Sequence, residues 1–136
     1  MVQKTETAQQ NKLEAYFTEN TKFFESNDSN GRKAFFCLGQ YVKRVMEAEE
    51  KKLAESGEES KFQKRLTREI SNNMSFRAFT IVLKLLDNHV INNPELSKCS
   101  GPCKQYIINS DISTDKKALR SEDANLAFSL GMHQKF

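Results

Sequence analysis

Lys61, Lys64, Arg65 and Arg68 follow one another at i, i+3, i+4 and i+7, the spacing that sets four cations along one stripe of a helix. Phe62, Leu66 and Ile70 fall on a different face of the same segment. A straight row of positive charge can track backbone phosphates without reading bases, giving an affinity that falls steeply with salt. The same spacing also arises on any solvated helix face that carries an excess of one sign. Arg77 and Lys84, seven residues apart on the next segment, would extend such a surface, as would Lys43 and Arg44 on the preceding one, although Glu47, Glu49 and Glu50 stand close to the latter pair.

Thiol and imidazole chemistry is sparser. Cys99-Ser100-Gly101-Pro102-Cys103 brings two thiols within reach of one metal, and His89 or His133 could complete a zinc site. A structural zinc site, however, draws four ligands in close pairs, and the third cysteine, Cys37, lies among core positions between Phe36 and Leu38. Two free thiols in a loop are the plainer expectation, and no metal or other cofactor is expected. Three residues rather than two separate Cys99 from Cys103, so the thioredoxin-type redox spacing is missing. Neither histidine has a nucleophile and a carboxylate at a recognisable spacing, and no glycine-rich phosphate loop or paired metal-binding carboxylate is visible. The expectation is a binding protein and not an enzyme. Most of the ten phenylalanines sit at helical core spacing and suit packing better than base stacking, whereas Tyr41 and Tyr106 are less constrained and could reach a surface.

The elements that must carry these residues are helical. At 136 residues the chain has the size of one domain. Its net charge of +3 is too mild to demand a nucleic-acid partner, but residues 61–120 hold 11 basic against 5 acidic side chains, which places the basic part in the middle of the chain. Two prolines and five glycines leave long uninterrupted segments of helical period, so the expected fold class is all-α, a compact bundle of about five helices spanning 1–136 as a single domain. A first helix is expected over about 10–25, preceded by ten frayed residues and closed by the turn-forming stretch 26–31. A second over about 32–55 places Phe35, Leu38, Val42 and Val45 on one face and then becomes charged from Glu47 to Lys52, so its far end should project into solvent. Phe62, Leu66 and Ile70 mark a third that stops near residues 71–73. Phe76, Phe79, Leu83, Leu86 and Val90 mark a fourth, N-capped by Ser75 and ended by Asn92-Asn93-Pro94. One short helix around 104–109 interrupts otherwise irregular chain. The last begins at Ser121, with Glu122 and Asp123 at its positive dipole end and Ala124, Ala127, Phe128 and Gly131 facing the core.

No apolar run approaches the roughly 20 residues that a membrane span requires, and the amino terminus lacks the pattern of a secretory signal. A cytoplasmic location with reduced thiols is therefore expected.

Two stretches resemble a known family: Phe35-Phe36-Cys37-Leu38-Gly39-Gln40-Tyr41-Val42, and Ser121-Glu122-Asp123-Ala124-Asn125-Leu126-Ala127-Phe128-Ser129-Leu130-Gly131-Met132. Together they look like the C-terminal helical region of the type I-B CRISPR large subunit, in which an early Phe-x-Leu-Gly-like helix, a basic intermediate helix and a last helix with a Phe-x-Leu-Gly-Met-like element follow in that order. The likeness covers about residues 32–136. Small subunits of type III complexes carry a similar opening element. The resemblance implies a separately produced small subunit of an RNA-guided Cascade complex, present in several copies. Its implied partners are the backbone and large subunits, the guide RNA and the target DNA, with the displaced strand held without base reading. It offers no role for the Cys99–Cys103 loop. Two other readings stand beside it: a helical adaptor that binds protein through an exposed apolar groove, and a small zinc-dependent domain.

Overall fold

The computed structural model describes residues 2–24, 29–57, 60–71, 74–101, 103–109 and 121–134. All-α architecture is what it shows: α1 (Val2–Glu19), α2 (Thr21–Phe24), α3 (Ser29–Ser56), α4 (Lys61–Ser71), α5 (Phe76–Asn92), a 3-10 helix (Pro94–Ser100), α6 (Cys103–Asn109) and α7 (Ser121–His133). No described helix is long and apolar enough to cross a membrane.

The long helix α3 is the axis of the fold. Phe35, Leu38, Val42 and Val45 are all fully buried, as their spacing predicts, and Ala34, Phe36 and Cys37 are buried with them. A 28-residue helix buried on so wide an arc needs partners on several sides, and α3 packs on α7, α6, the 3-10 helix, α2 and α5.

Its closest partner is α7. Arg32 pairs with Asp123 at 3.1 Å, the Gln40 amide donates to the Gly131 carbonyl, and Lys43 Nζ donates to the Gln134 carbonyl at 2.9 Å; each link joins residues 91 apart, so the two helices run parallel and in register. Between these links the backbones touch. A Cβ at Gly131 would overlap the Phe36 carbonyl oxygen and lie 2.9 Å from its carbon, and one at Gly39 would overlap the Phe128 carbonyl oxygen and lie 3.0 Å from the Met132 nitrogen. Each glycine thus meets the other helix at its phenylalanine, about one turn nearer the amino end, because Cα–Cβ bonds tilt that way. Gln40, buried, also donates to the Gln134 carbonyl at 2.6 Å, so two α3 side chains satisfy carbonyls that the end of α7 leaves open.

Aromatic rings fill the other side. Phe17 and Phe24 lie 4.6 Å apart, Tyr16 stacks on Phe36 at 4.8 Å, and Tyr106 of α6 meets Phe17 edge-on at 5.4 Å, so α1 and α2 are seated on α3 and α6 by ring contacts. Tyr41 is buried and donates to Asp87, which also takes the Lys104 ammonium at 2.6 Å. Tyr106 is half-buried, and burial together with the nearby Glu14 carboxylate pushes its phenol up to about 12. Either tyrosine could have reached a surface: Tyr41 is buried against Asp87 instead, while Tyr106 stays half-buried beside the exposed Glu14.

Several other expectations need correction. Helix α1 begins at Val2, where ten frayed residues were expected, and breaks at Asn20, whose side-chain amide donates to the Tyr16 carbonyl at 2.8 Å. The stretch after Pro94 is a 3-10 helix and not irregular chain. Glu49 lies in the charged run expected to face solvent, yet it is buried against His89, while Glu47, Glu50 and Lys51 are exposed. Ser75 caps α5 as expected, accepting from the Ala78 N–H at 3.1 Å. Residues 25–28, 72–73 and 110–120, and the side chains of Phe76 and Ser121, for which turns, ends, a core position and a cap were expected, lie outside the described residues.

A methyl group has no room at the α3–α7 crossing. Gly39→Ala or Gly131→Ala should each cost about 3 kcal/mol, the upper range for overpacking, because backbone and not a flexible side chain stands in the way. Gly57, exposed at φ +76° with no atom within 4 Å of its Cβ direction, should lose only about 1 kcal/mol as Gly57→Ala. Urea unfolding followed by circular dichroism compares the three; equal losses at all three positions would contradict the close crossing.

Candidate nucleic-acid interface

Helix α4 is fixed at its start by a capping box: the Gln63 N–H donates to Ser60 Oγ at 3.1 Å and the Ser60 N–H donates to Gln63 Oε1 at 2.7 Å. The Ser-x-x-Gln signature was legible in the sequence, although the expectation for this helix rested on its apolar face alone. Gln63 and Leu66 are buried, and Phe62 and Ile70 are half-buried. Phe62 stacks flat on the His89 ring of α5, with centroids 3.7 Å apart and planes within 1°. The start of α4 therefore lies against the end of α5, and the two form an antiparallel hairpin. His89 is held from beneath, its Nε2 bonded to Glu49 Oε1 of α3, while the Asn93 amide donates to the His89 carbonyl at 2.9 Å. The buried Met74 is fixed through its own N–H, which donates to Asn125 Oδ1, tying the turn of the hairpin to α7.

This mounting decides where the charges point. Lys61, Lys64, Arg65 and Arg68 are all exposed along the outer face of α4, a row about 10 Å long at 1.5 Å per residue. Arg77 and Lys84 are exposed on α5, in a stripe with Thr80 and Asn88. Six of the eight expected cations therefore stand in solvent on one hairpin. Neither α4 nor α5 has an acidic residue in its first turn, and Asp87 of α5 is engaged by Tyr41 and Lys104. Cations in the opening turns of a helix work against its positive dipole end, at a cost of about 0.3–1 kcal/mol each when exposed. Lys61 and Lys64 accept that cost, and the combined positive potential is one that an anion relieves.

Lys43 and Arg44 are occupied elsewhere. Both are half-buried on α3; Lys43 closes the end of α7, and the Arg44 guanidinium lies close enough to Cys37, Cys99 and Cys103 to favour their thiolates. The histidines named as zinc ligands are also engaged, His89 as above and His133 through Nδ1 with the Ser129 carbonyl at 2.7 Å. Among the described residues no three His, Cys, Asp or Glu side chains are grouped to hold a metal ion.

Leu66 is the apolar anchor of the ridge. Leu66→Ala should lower stability by about 2–5 kcal/mol and raise amide hydrogen exchange across 61–71 more than across α3, whereas Gln63→Ala should cost about 1 kcal/mol through the cap. Uniform loss of protection in both helices would show that α4 is not a separately mounted layer. Comparison of the chain with protein-family models, curated proteins and solved structures finds no match, so its own side chains must carry the functional argument.

Proposed function

We propose that this chain is a non-catalytic helical subunit that grips nucleic-acid backbone through the α4–α5 ridge, and that it serves as a small subunit of a CRISPR RNA-guided surveillance complex in the cytoplasm. The observation that carries the binding reading is the exposure of Lys61, Lys64, Arg65, Arg68, Arg77 and Lys84 on one hairpin whose inner face is apolar. Cations on capped helices contact phosphates without the cost of ordering the backbone beneath them and read no sequence, which suits a complex whose specificity resides in guide pairing. The resemblance supplies the assembly: backbone and large subunits as neighbours, guide RNA and target DNA as the polyanions, and several copies per complex. The displaced strand would be held by the same ridge.

An adaptor that binds protein through an apolar groove has less to work with. Among the described residues the large apolar side chains that stand exposed are Ile91, 74% exposed at the end of α5, and Leu126, 48% exposed on α7. Two such residues on different helices are ordinary surface.

The test is made on the chain purified with whatever assembles on it, nucleic acid retained. Native mass spectrometry should find guide RNA and several copies of the chain in one large assembly; a protein-only complex would favour the adaptor. In that assembly Lys64→Glu with Arg65→Glu should weaken DNA binding at least tenfold and reduce the slope of log affinity against log salt by about 2, near 0.9 for each phosphate that is no longer neutralised. Lys51→Glu, exposed on α3, serves as the control. Unchanged affinity and slope in the ridge variant would overturn the proposal.

A further inference from the structure

Helices α1, α2, α3 and α6 leave a cleft of about 310 Å³ between them, lined by Glu14, Phe17, Thr18, Phe24, Lys33 and Tyr106. Glu14, Phe17 and Thr18 fall at i, i+3 and i+4, so one face of α1 brings a carboxylate, a ring and a hydroxyl to it. The floor is apolar, since Phe17 and Phe24 are buried and pack 4.6 Å apart. Polar groups surround that floor: Glu14 and Thr18 are exposed, and Lys33 and Tyr106 are half-buried. The Lys33 ammonium lies 5.4 Å from the centre of the Phe17 ring, a cation–π contact that keeps it at the cleft. Burial above all, with Glu14 next, pushes the Tyr106 phenol up to about 12, so at neutral pH Tyr106 contributes a hydroxyl and no charge.

From a carboxylate and an ammonium that line one apolar-floored cleft, we propose that this cleft binds a free α-amino acid with a small aliphatic side chain. The proposal is independent of the α4–α5 ridge, because all six lining residues stand on other helices. The ligand carboxylate pairs with Lys33 and the ligand ammonium with Glu14, two charge-assisted contacts, while Thr18 and Tyr106 supply neutral hydroxyls. An ionised carboxylate has about four acceptor directions, so Glu14 can take an ammonium while lying beside the Tyr106 phenol. A ligand of one sign does worse, since an anion at Lys33 also meets Glu14 and a cation at Glu14 also meets Lys33. The volume is at the small end of the roughly 300–1,000 Å³ typical of small-molecule sites, which suits one amino acid and not a peptide. A stacked nucleobase is disfavoured by the rings themselves. Phe17 is 5% exposed and engaged by Phe24, Phe36 and Tyr106, so it shows the cleft too little surface for a base but enough for an aliphatic branch.

The full-length chain is titrated with L-valine and followed by nuclear magnetic resonance. Saturable shifts should centre on the residues that line the cleft, with a Kd of about 1 mM, as expected for so small a ligand. Isovalerate, which lacks the ammonium, and isobutylamine, which lacks the carboxylate, should each bind about tenfold more weakly. Glu14→Gln should abolish the preference for valine over isovalerate, and Lys33→Gln the preference over isobutylamine, with the helical circular dichroism of both variants unchanged. Because Lys33 also rests on Phe17 and its loss can disturb α1, the decision lies with the three ligands on the unsubstituted chain. Absence of saturable shifts up to about 20 mM valine, equal binding of either analogue, or displacement of valine by adenosine monophosphate at a lower concentration would overturn the proposal.

Discussion

Gly39 and Gly131 let two parallel helices meet backbone to backbone, and this contact determines the placement of most other elements. Parallel helices align their dipoles, an arrangement that gains nothing by itself, so the pair depends on packing and on the polar links at its ends. Arg32 and Asp123 hold the opening turns, and Gln40 and Lys43 satisfy the carbonyls at the close of α7. With α7 drawn in on one side, the remaining arc of α3 is left to α2, α5, α6 and the 3-10 helix. Phe35 meets Phe79 of α5 at 4.9 Å, which fixes the helix on which α4 then rests.

The same crossing bears on the family resemblance. Phe36-Cys37-Leu38-Gly39 and Phe128-Ser129-Leu130-Gly131 are the two halves of one contact, each glycine against the other's phenylalanine carbonyl. A chain that brings two helices this close needs glycine at both positions, and large apolar residues beside them, whatever it binds. The likeness in these stretches therefore speaks first to architecture. Any argument for phosphate binding has to come from residues outside the crossing, and those of α4 and α5 meet that condition.

Much of this was legible in the sequence, and the failures have physical causes. Helical period located α4 and α5 because each has one apolar face and one polar face, and α3 through the spacing of Phe35, Leu38, Val42 and Val45 even though residues 34–42 are buried all round; it also placed Leu66, Leu86, Ala127 and Phe128 correctly in the core. The outward direction of Lys61, Lys64, Arg65 and Arg68 followed from the same period, since a helix with one face buried has only one way to present the other. Periodicity fails where a polar group finds a buried partner from a distant segment. Glu49 and His89 lie 40 residues apart, and Tyr41 and Asp87 lie 46 apart, so no local window shows either pairing. Lys43 and Arg44 could not be separated from the ridge cations for the same reason. Their alternative partners, the end of α7 for Lys43 and the thiols of Cys99 on the 3-10 helix and Cys103 on α6 for Arg44, are more than 50 residues away in sequence.

The ridge and the core are under different constraints, and the difference gives the ridge its meaning. A substitution on α3 or α7 is judged by volume and by backbone contact. The outer face of α4 touches no core, so its composition is free to vary, and stability alone would favour acidic residues in its first turn, where the helix dipole is positive. Lys61 and Lys64 occupy those turns, and Arg65 and Arg68 continue the row. Local stability is given up at a place where packing demands nothing, and consistency across levels breaks most often where function is served. The capping box and the Phe62–His89 stack fix the backbone that carries the row, which would lower the entropy lost on the proposed contact with a polyanion.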